Sequence, residues 1–145
     1  MITISPYLNF PGNTEEAFVF YKSVFGGEFS EFQRFSDIPD MAGKLPEADK
    51  NKIMHVSLPL SETCVLMGTD ALESAGHKVT MGNNISLSIN AESEAHADQL
   101  YAALTKNGNA EMPMEKTFWG AYFGMCDDRF GIKWMINYDY PKNEL

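Results

Sequence analysis

Only two cysteines, three histidines and eleven lysines and arginines occur among the 145 residues, and each scarcity excludes something. Cys64 and Cys126 lack the C-x-x-C spacing of zinc and redox sites. Two thiols cannot build a disulfide framework either, so both are expected to be packed free thiols. Eleven basic residues against twenty acidic ones leave a formal charge of −9. The bases form no stripe, which argues against a nucleic-acid partner. No stretch reaches the roughly 18 consecutive apolar residues of a membrane helix. The first eleven residues carry neither a basic leader nor a small-residue cleavage site. The expectation is a cytoplasmic protein without a membrane partner.

What is present suffices for a core: 44% of the residues are hydrophobic and 12% aromatic, in a chain of single-domain size. The most informative feature is an internal repeat. Asn13 precedes Thr14-Glu15-Glu16-Ala17-Phe18-Val19-Phe20-Tyr21, and Val24-Phe25 runs into a Gly26-Gly27 stop, the pattern of a capped helix. Ser93 precedes Glu94-Ala95-His96-Ala97-Asp98-Gln99-Leu100-Tyr101, with Leu104 following and Gly108 as the stop. Asn13 and Ser93, Ala17 and Ala97, Tyr21 and Tyr101, and Val24 and Leu104 each lie 80 positions apart.

Strand-like runs flank both helices, at 4–10 and 85–91 upstream and at 28–35 and 110–116 downstream. Hairpins follow, 53–60 with 64–69 and 121–126 with 132–137. Each half reads as βαβββ, residues 1–70 and 83–140, inside one α+β domain over 1–145. One helix covers only one face of a four-stranded sheet. The two sheets are therefore expected to curve together as paired half-barrels around a shared cleft. Alternation in the fifth strand puts Leu87 and Ile89 under the second helix and leaves Ser86 and Ser88 on the other face.

Pro6-Tyr7-Leu8-Asn9-Phe10, Gly12-Asn13, Glu15-Glu16-Ala17, Phe20-Tyr21 and Val24-Phe25-Gly26-Gly27 form a recognisable amino end. Lys116-Thr117-Phe118-Trp119-Gly120, with Gly124, Asp128, Phe130-Gly131, Trp134 and Asn137, forms an equally distinctive carboxyl one. Across almost its whole length the sequence resembles the PhnB-like branch of the vicinal oxygen chelate (glyoxalase/bleomycin resistance/dioxygenase) superfamily. The resemblance implies the paired βαβββ fold and a homodimer. A demethylubiquinone methyltransferase label travels with this branch, but the sequence has no Gly-rich loop after a leading strand and no parallel-sheet pattern. In metal-dependent relatives, His or Glu ligands from the first, fourth, fifth and eighth strands hold a divalent ion that polarises vicinal substrate oxygens. The resemblance puts Pro6, Met67, Asn84 and Trp134 at those positions, with Tyr7 and Lys133 one residue away. Pro and Trp cannot ligate, Met is a soft donor, and Asn offers one weak carbonyl. The expectation is no metal and no cofactor.

His55, mid-strand in Met54-His55-Val56-Ser57, is a candidate general base or ligand hydrogen bond, against a purely structural role. His77 and His96 read as solvated. Trp119 and Tyr122 flank Gly120, which permits close backbone approach, and the alternative for them is a dimer contact or core packing. Trp134 can fill the space of an absent ion, its N–H turned to Ser86 or a ligand. The ligand-binding candidates are thus His55, Met67, Ser86, Ser88, Trp119, Tyr122 and Trp134. The connection 36–51 reads as a lid or disordered surface, with Arg34 at its entrance and Arg129 in the last turn as candidate anion contacts.

Three function classes remain. A metal-free protein that binds a small molecule of unidentified nature needs only an apolar-aromatic cleft with a few polar groups. An acid-base enzyme needs a titratable group in that cleft, and His55 is the inviting one. A divalent-metal lyase, isomerase or thiol transferase conflicts with the ligand positions. The first is favoured, although the fold alone cannot choose.

Overall fold

The apolar positions that recur along the two helical segments are the ones that go inside. In a computed structural model, which describes residues 1–142, Ala17, Phe18 and Tyr21 are fully buried on the first helix and Ala97, Leu100 and Leu104 are buried on the second. The elements run β1 (Tyr7–Phe10), α1 (Thr14–Phe25), β2 (Glu31–Arg34), α2 (Pro39–Ala42), β3 (Ile53–Pro59) and β4 (Val65–Asp70). They continue as β5 (Leu87–Asn90), α3 (Glu94–Thr105), β6 (Asn109–Lys116), β7 (Ala121–Asp127) and β8 (Lys133–Asp139). The chain divides into two compact units at Thr80–Met81. Their sheets have equivalent orders, β1-β4-β3-β2 and β5-β8-β7-β6, and in each the first and last strands of the module pair in parallel. The fold is α+β, two βαβββ modules, as the repeat predicts.

In the first unit α1 lies against the sheet at Gly68, where an added Cβ would come within 2.5 Å of the Phe18 ring. Phe18 also meets Phe10 and Tyr21 edge-on, at 6.4 and 5.4 Å between ring centres. Successive strand residues alternate between faces. Because Gly68 faces α1, its register partners Leu8 and Val56 do too, and Tyr7, Met67, Ser57 and Glu31 lie in one row on the opposite face.

In the second unit Tyr122 reaches from β7 to Asp98 of α3, 2.7 Å away. That contact fixes the sidedness of this sheet. Tyr122, Gly124 and Cys126 turn toward α3, and so do their neighbours Ile136, Trp134, Leu87 and Ile89. Ser88, Met135 and Met125 form a row on the opposite face, beside the row of Asn90, Asn137 and Phe123.

The two helix starts differ. Ser93 accepts the His96 amide on its side chain, the cap that the sequence predicts. Asn13 makes no side-chain cap, and the Thr14 amide is instead held by the Asp70 carboxylate from β4, at 3.0 Å. Asp70 spends its other oxygen on the Ile53 amide, at 2.8 Å, so one buried carboxylate ties α1, β3 and β4 together. The 36–51 connection is likewise anchored. Short helical turns occupy Phe35–Asp37, Pro39–Ala42 and Glu47–Asp49, and buried Asp49 accepts the Ser74 hydroxyl at 2.6 Å and pairs with Lys52 at 2.9 Å.

Candidate functional site

The face of the first sheet turned away from α1 carries a polar network centred on His55. Strand β3 presents His55 and Ser57 two residues apart on that face, β1 contributes Tyr7, and β2 contributes Glu31. The Tyr7 hydroxyl lies 2.8 Å from His55 Nδ1. On the other side of the imidazole, Nε2 is 2.9 Å from Ser57 Oγ and 3.2 Å from Glu31 Oε2. The carboxylate decides the tautomer. A lone pair on Nε2 would oppose the Glu31 charge, so Nε2 carries a proton and donates, and Nδ1 accepts from the Tyr7 phenol. The Tyr7 and His55 rings sit 5.5 Å apart at 31°. Partial burial, and secondarily the Glu31 charge, push the Tyr7 phenol above its ordinary value and keep it a neutral donor. Met67 lies between Tyr7 and Ser57 in the register row and adds a soft apolar contact surface.

Two of the seven candidates, His55 and Met67, are thus brought together on this face. Ser88 lies on the corresponding face of the second sheet beside Met135, and Ser86, half-buried, precedes β5 with the same parity. Trp119 is exposed in the β6–β7 connection, edge-on to Phe118 at 5.0 Å and to Phe123 at 6.0 Å.

Tyr122 and Trp134 depart from expectation, because both turn toward α3 rather than to the face that carries Ser88. The Tyr122 phenol donates to Asp98, and that hydrogen bond, with burial, pushes it up to about 12. The Trp134 indole donates not to Ser86 but to Asp128 Oδ2, at 2.9 Å in the buried interior. Arg34 is no anion site either. Its guanidinium grips both oxygens of Glu15, at 2.9 and 2.8 Å, and the Asn51 carbonyl.

Tyr7, Ser57 and Glu31 are the members that sequence reasoning missed. Alternation in Met54-His55-Val56-Ser57 could have supplied Ser57, but Tyr7 and Glu31 enter through strand register, which the sequence does not spell out.

The same register tests the implied metal. The β1 residue paired with Met67 is Tyr7, not Pro6, and the β8 residue that shares a face with Ser88 is Met135, not Trp134. Asn84 is exposed ahead of β5. The Tyr7 phenol and Met67 thioether of the first unit, and the Ser88 hydroxyl and Met135 thioether of the second, are each poor donors for a divalent ion that works on oxygen substrates. Among the described residues, no group of three or more His, Cys, Asp and Glu side chains is placed to hold an ion. These residues do not fit the metal of the metal-dependent relatives.

Comparison with known proteins places the fold. A family model described as 3-demethylubiquinone-9 3-methyltransferase matches residues 2–137. The crystal structure of protein PA1353 from Pseudomonas aeruginosa is 37% identical, with a TM-score of 0.83 over 96% of this chain and 98% of that one. A PhnB protein from Bacillus cereus, itself titled a 3-demethylubiquinone-9 3-methyltransferase, is similar in fold at 24% identity. Its TM-score is 0.76, over 94% of this chain and 99% of that one. A glyoxalase/bleomycin resistance protein from Albidiferax ferrireducens shares the fold at 18% identity and a TM-score of 0.59, covering 92% and 97% of the two chains. No described helix is long and apolar enough to cross a membrane.

Proposed function

The chain belongs to the PhnB-like family that carries the 3-demethylubiquinone-9 3-methyltransferase description, and on that premise we propose that it is a metal-independent small-molecule binding protein anchored by His55. One observation carries this reading. Four polar side chains from three strands converge in a hydrogen-bonded row on a sheet face turned away from the helix, with Tyr7 still 43% exposed. Core packing gains nothing from such a cluster, whereas ligand sites consist of apolar walls with a few convergent polar groups. Methyl transfer is not the activity we propose. Each sheet has a single parallel strand pair, and no Gly-rich strand-to-helix turn is present among the described residues.

A second reading has its own support. Carboxylate, imidazole and phenol stand in the order Glu31–His55–Tyr7, the arrangement with which an acid-base catalyst passes a proton to a bound molecule. The unpaired cysteines suit a reducing compartment, and we place the protein in the cytoplasm. We also propose that it acts as a homodimer, since each unit exposes large apolar side chains.

A thermal-shift screen of small polar molecules against wild type and His55→Ala tests the binding role. Polar hits should lose about 1 kcal/mol or more in the variant through the missing hydrogen bond. A library whose hits shift both proteins equally would remove His55 from the site. Turnover of a hit that vanishes in both His55→Ala and Tyr7→Phe would favour the catalytic reading.

A further inference from the structure

We infer that the molecule seated on the Tyr7–His55–Glu31 face is an organic cation, an amine carrying a small apolar group. The inference rests on the binding role proposed above and specifies its ligand class. It follows from counting what the network has left to offer. The Tyr7 hydroxyl hydrogen is committed to His55 Nδ1, which leaves the phenol oxygen presenting lone pairs. The proton on His55 Nε2 is committed to Glu31 and Ser57. Glu31 takes that contact on Oε2 while its side chain remains 57% exposed, so its charge faces solvent. The Ser57 hydroxyl accepts from Nε2 and keeps its own hydrogen, but it is buried, so what the face turns to solvent is acceptors and a negative charge. A ligand that complements it brings N–H donors and a positive charge.

An anion has no counter-charge here. Arg34, at the end of β2, is clamped by Glu15, and Lys52, just before β3, is paired with Asp49. The formal charge of −9 sets the same preference at longer range. The apolar part of the ligand also has a seat. Met67 adjoins Tyr7 and Ser57 in the row, and the partly exposed Tyr7 ring offers a face over which an ammonium group is attracted.

Three aromatic probes of similar size decide the matter: benzylamine, neutral benzyl alcohol and anionic benzoate, titrated into the protein and followed by amide chemical shifts and calorimetry. Benzylamine should perturb β1–β4 and bind about tenfold or more tightly than benzyl alcohol, the margin of one charge-assisted hydrogen bond. Benzoate should be the weakest of the three. Glu31→Gln, which keeps size and hydrogen-bonding shape, should erase the preference for the amine while circular dichroism stays unchanged. Tyr7→Phe should weaken benzylamine by a smaller factor. Equal binding of amine and alcohol, tighter binding of benzoate, or an amine preference that survives Glu31→Gln would each overturn the cation assignment, yet leave the face as a binding site. Perturbations confined to residues outside β1–β4 would overturn both the assignment and the site.

Discussion

Trp134 and Asp128 are hydrogen-bonded to each other inside the second module. The indole N–H donates to one carboxylate oxygen at 2.9 Å, and the other oxygen accepts the Phe130 and Ile132 amides at 2.8 and 3.1 Å. Trp134→Phe keeps most of the buried ring but strips Asp128 of a partner, and should cost about 1–3 kcal/mol in urea unfolding. Benzylamine affinity should be unchanged; a loss would put Trp134 back at a ligand site. Tyr122 makes a second residue-level case. Its pKa rises from 10.0 to about 12, chiefly through the hydrogen bond to Asp98. A phenol whose folded value is raised contributes stability that is complete below its unfolded value and is lost as pH climbs through the folded one. Tyr122 should therefore stay a neutral phenol until pH nears the upper end of that window, and the phenolate absorbance difference between wild type and Tyr122→Phe should move to lower pH when Asp98→Asn is introduced into both. An unaltered titration in the variant would refute the link. These two residues also mark where sequence reading failed. The run from Ile132 to Asn137 alternates between Trp134 with Ile136 and Met135 with Asn137. Apolar groups stand in both sets, so hydrophobic pattern alone could not choose the parity. His55 and Met67 could be placed on the helix-free face because each adjoins an apolar strand residue that goes inside, Val56 beside the one and Leu66 beside the other.

At the scale of elements the repeat was legible because helix stops and caps are local chemistry. Two βαβββ modules followed from residues that recur 80 positions apart. The start of α1 was not legible in the same way, because its cap comes from Asp70, 56 residues on, and a tertiary partner leaves no local trace. The two starts should respond oppositely to truncation. Ser93→Ala removes a side-chain cap and should cost about 1 kcal/mol. Asn13→Ala removes none and should change stability by only a few tenths of that. Asp70→Ala should cost the most, about 2–4 kcal/mol, because it strands two buried amides, those of Thr14 and Ile53, at once. Chemical denaturation of the three variants gives the order directly. Asn13→Ala as costly as Ser93→Ala would mean that Asn13 caps α1 in solution.

For the whole molecule, charge and apolar exposure pull against each other. Phe118 is 98% exposed and Trp119 57%, while Met1, Ile2 and Ile4 of the first unit stand almost fully in water. Soluble monomers rarely leave such clusters uncovered. A second copy is the partner that the family resemblance implies. Association, however, brings together two chains that each carry −9, so repulsion resists the contact that apolar burial favours. Burial scales with area and is insensitive to moderate salt, whereas repulsion beyond about 8 Å is screened at physiological ionic strength. The dimer should therefore tighten as salt rises, opposite to an interface held by ion pairs. Light scattering at micromolar concentration should give about twice the 16.2 kDa chain mass, and sedimentation at low salt should show partial dissociation. Phe118→Asp adds a charge where an apolar ring is exposed and should shift the protein to monomer at every salt concentration. A wild-type protein that stays monomeric across the range would show that these side chains are left to solvent or to some other partner. A dimer that weakens with salt would assign the interface to charged residues instead.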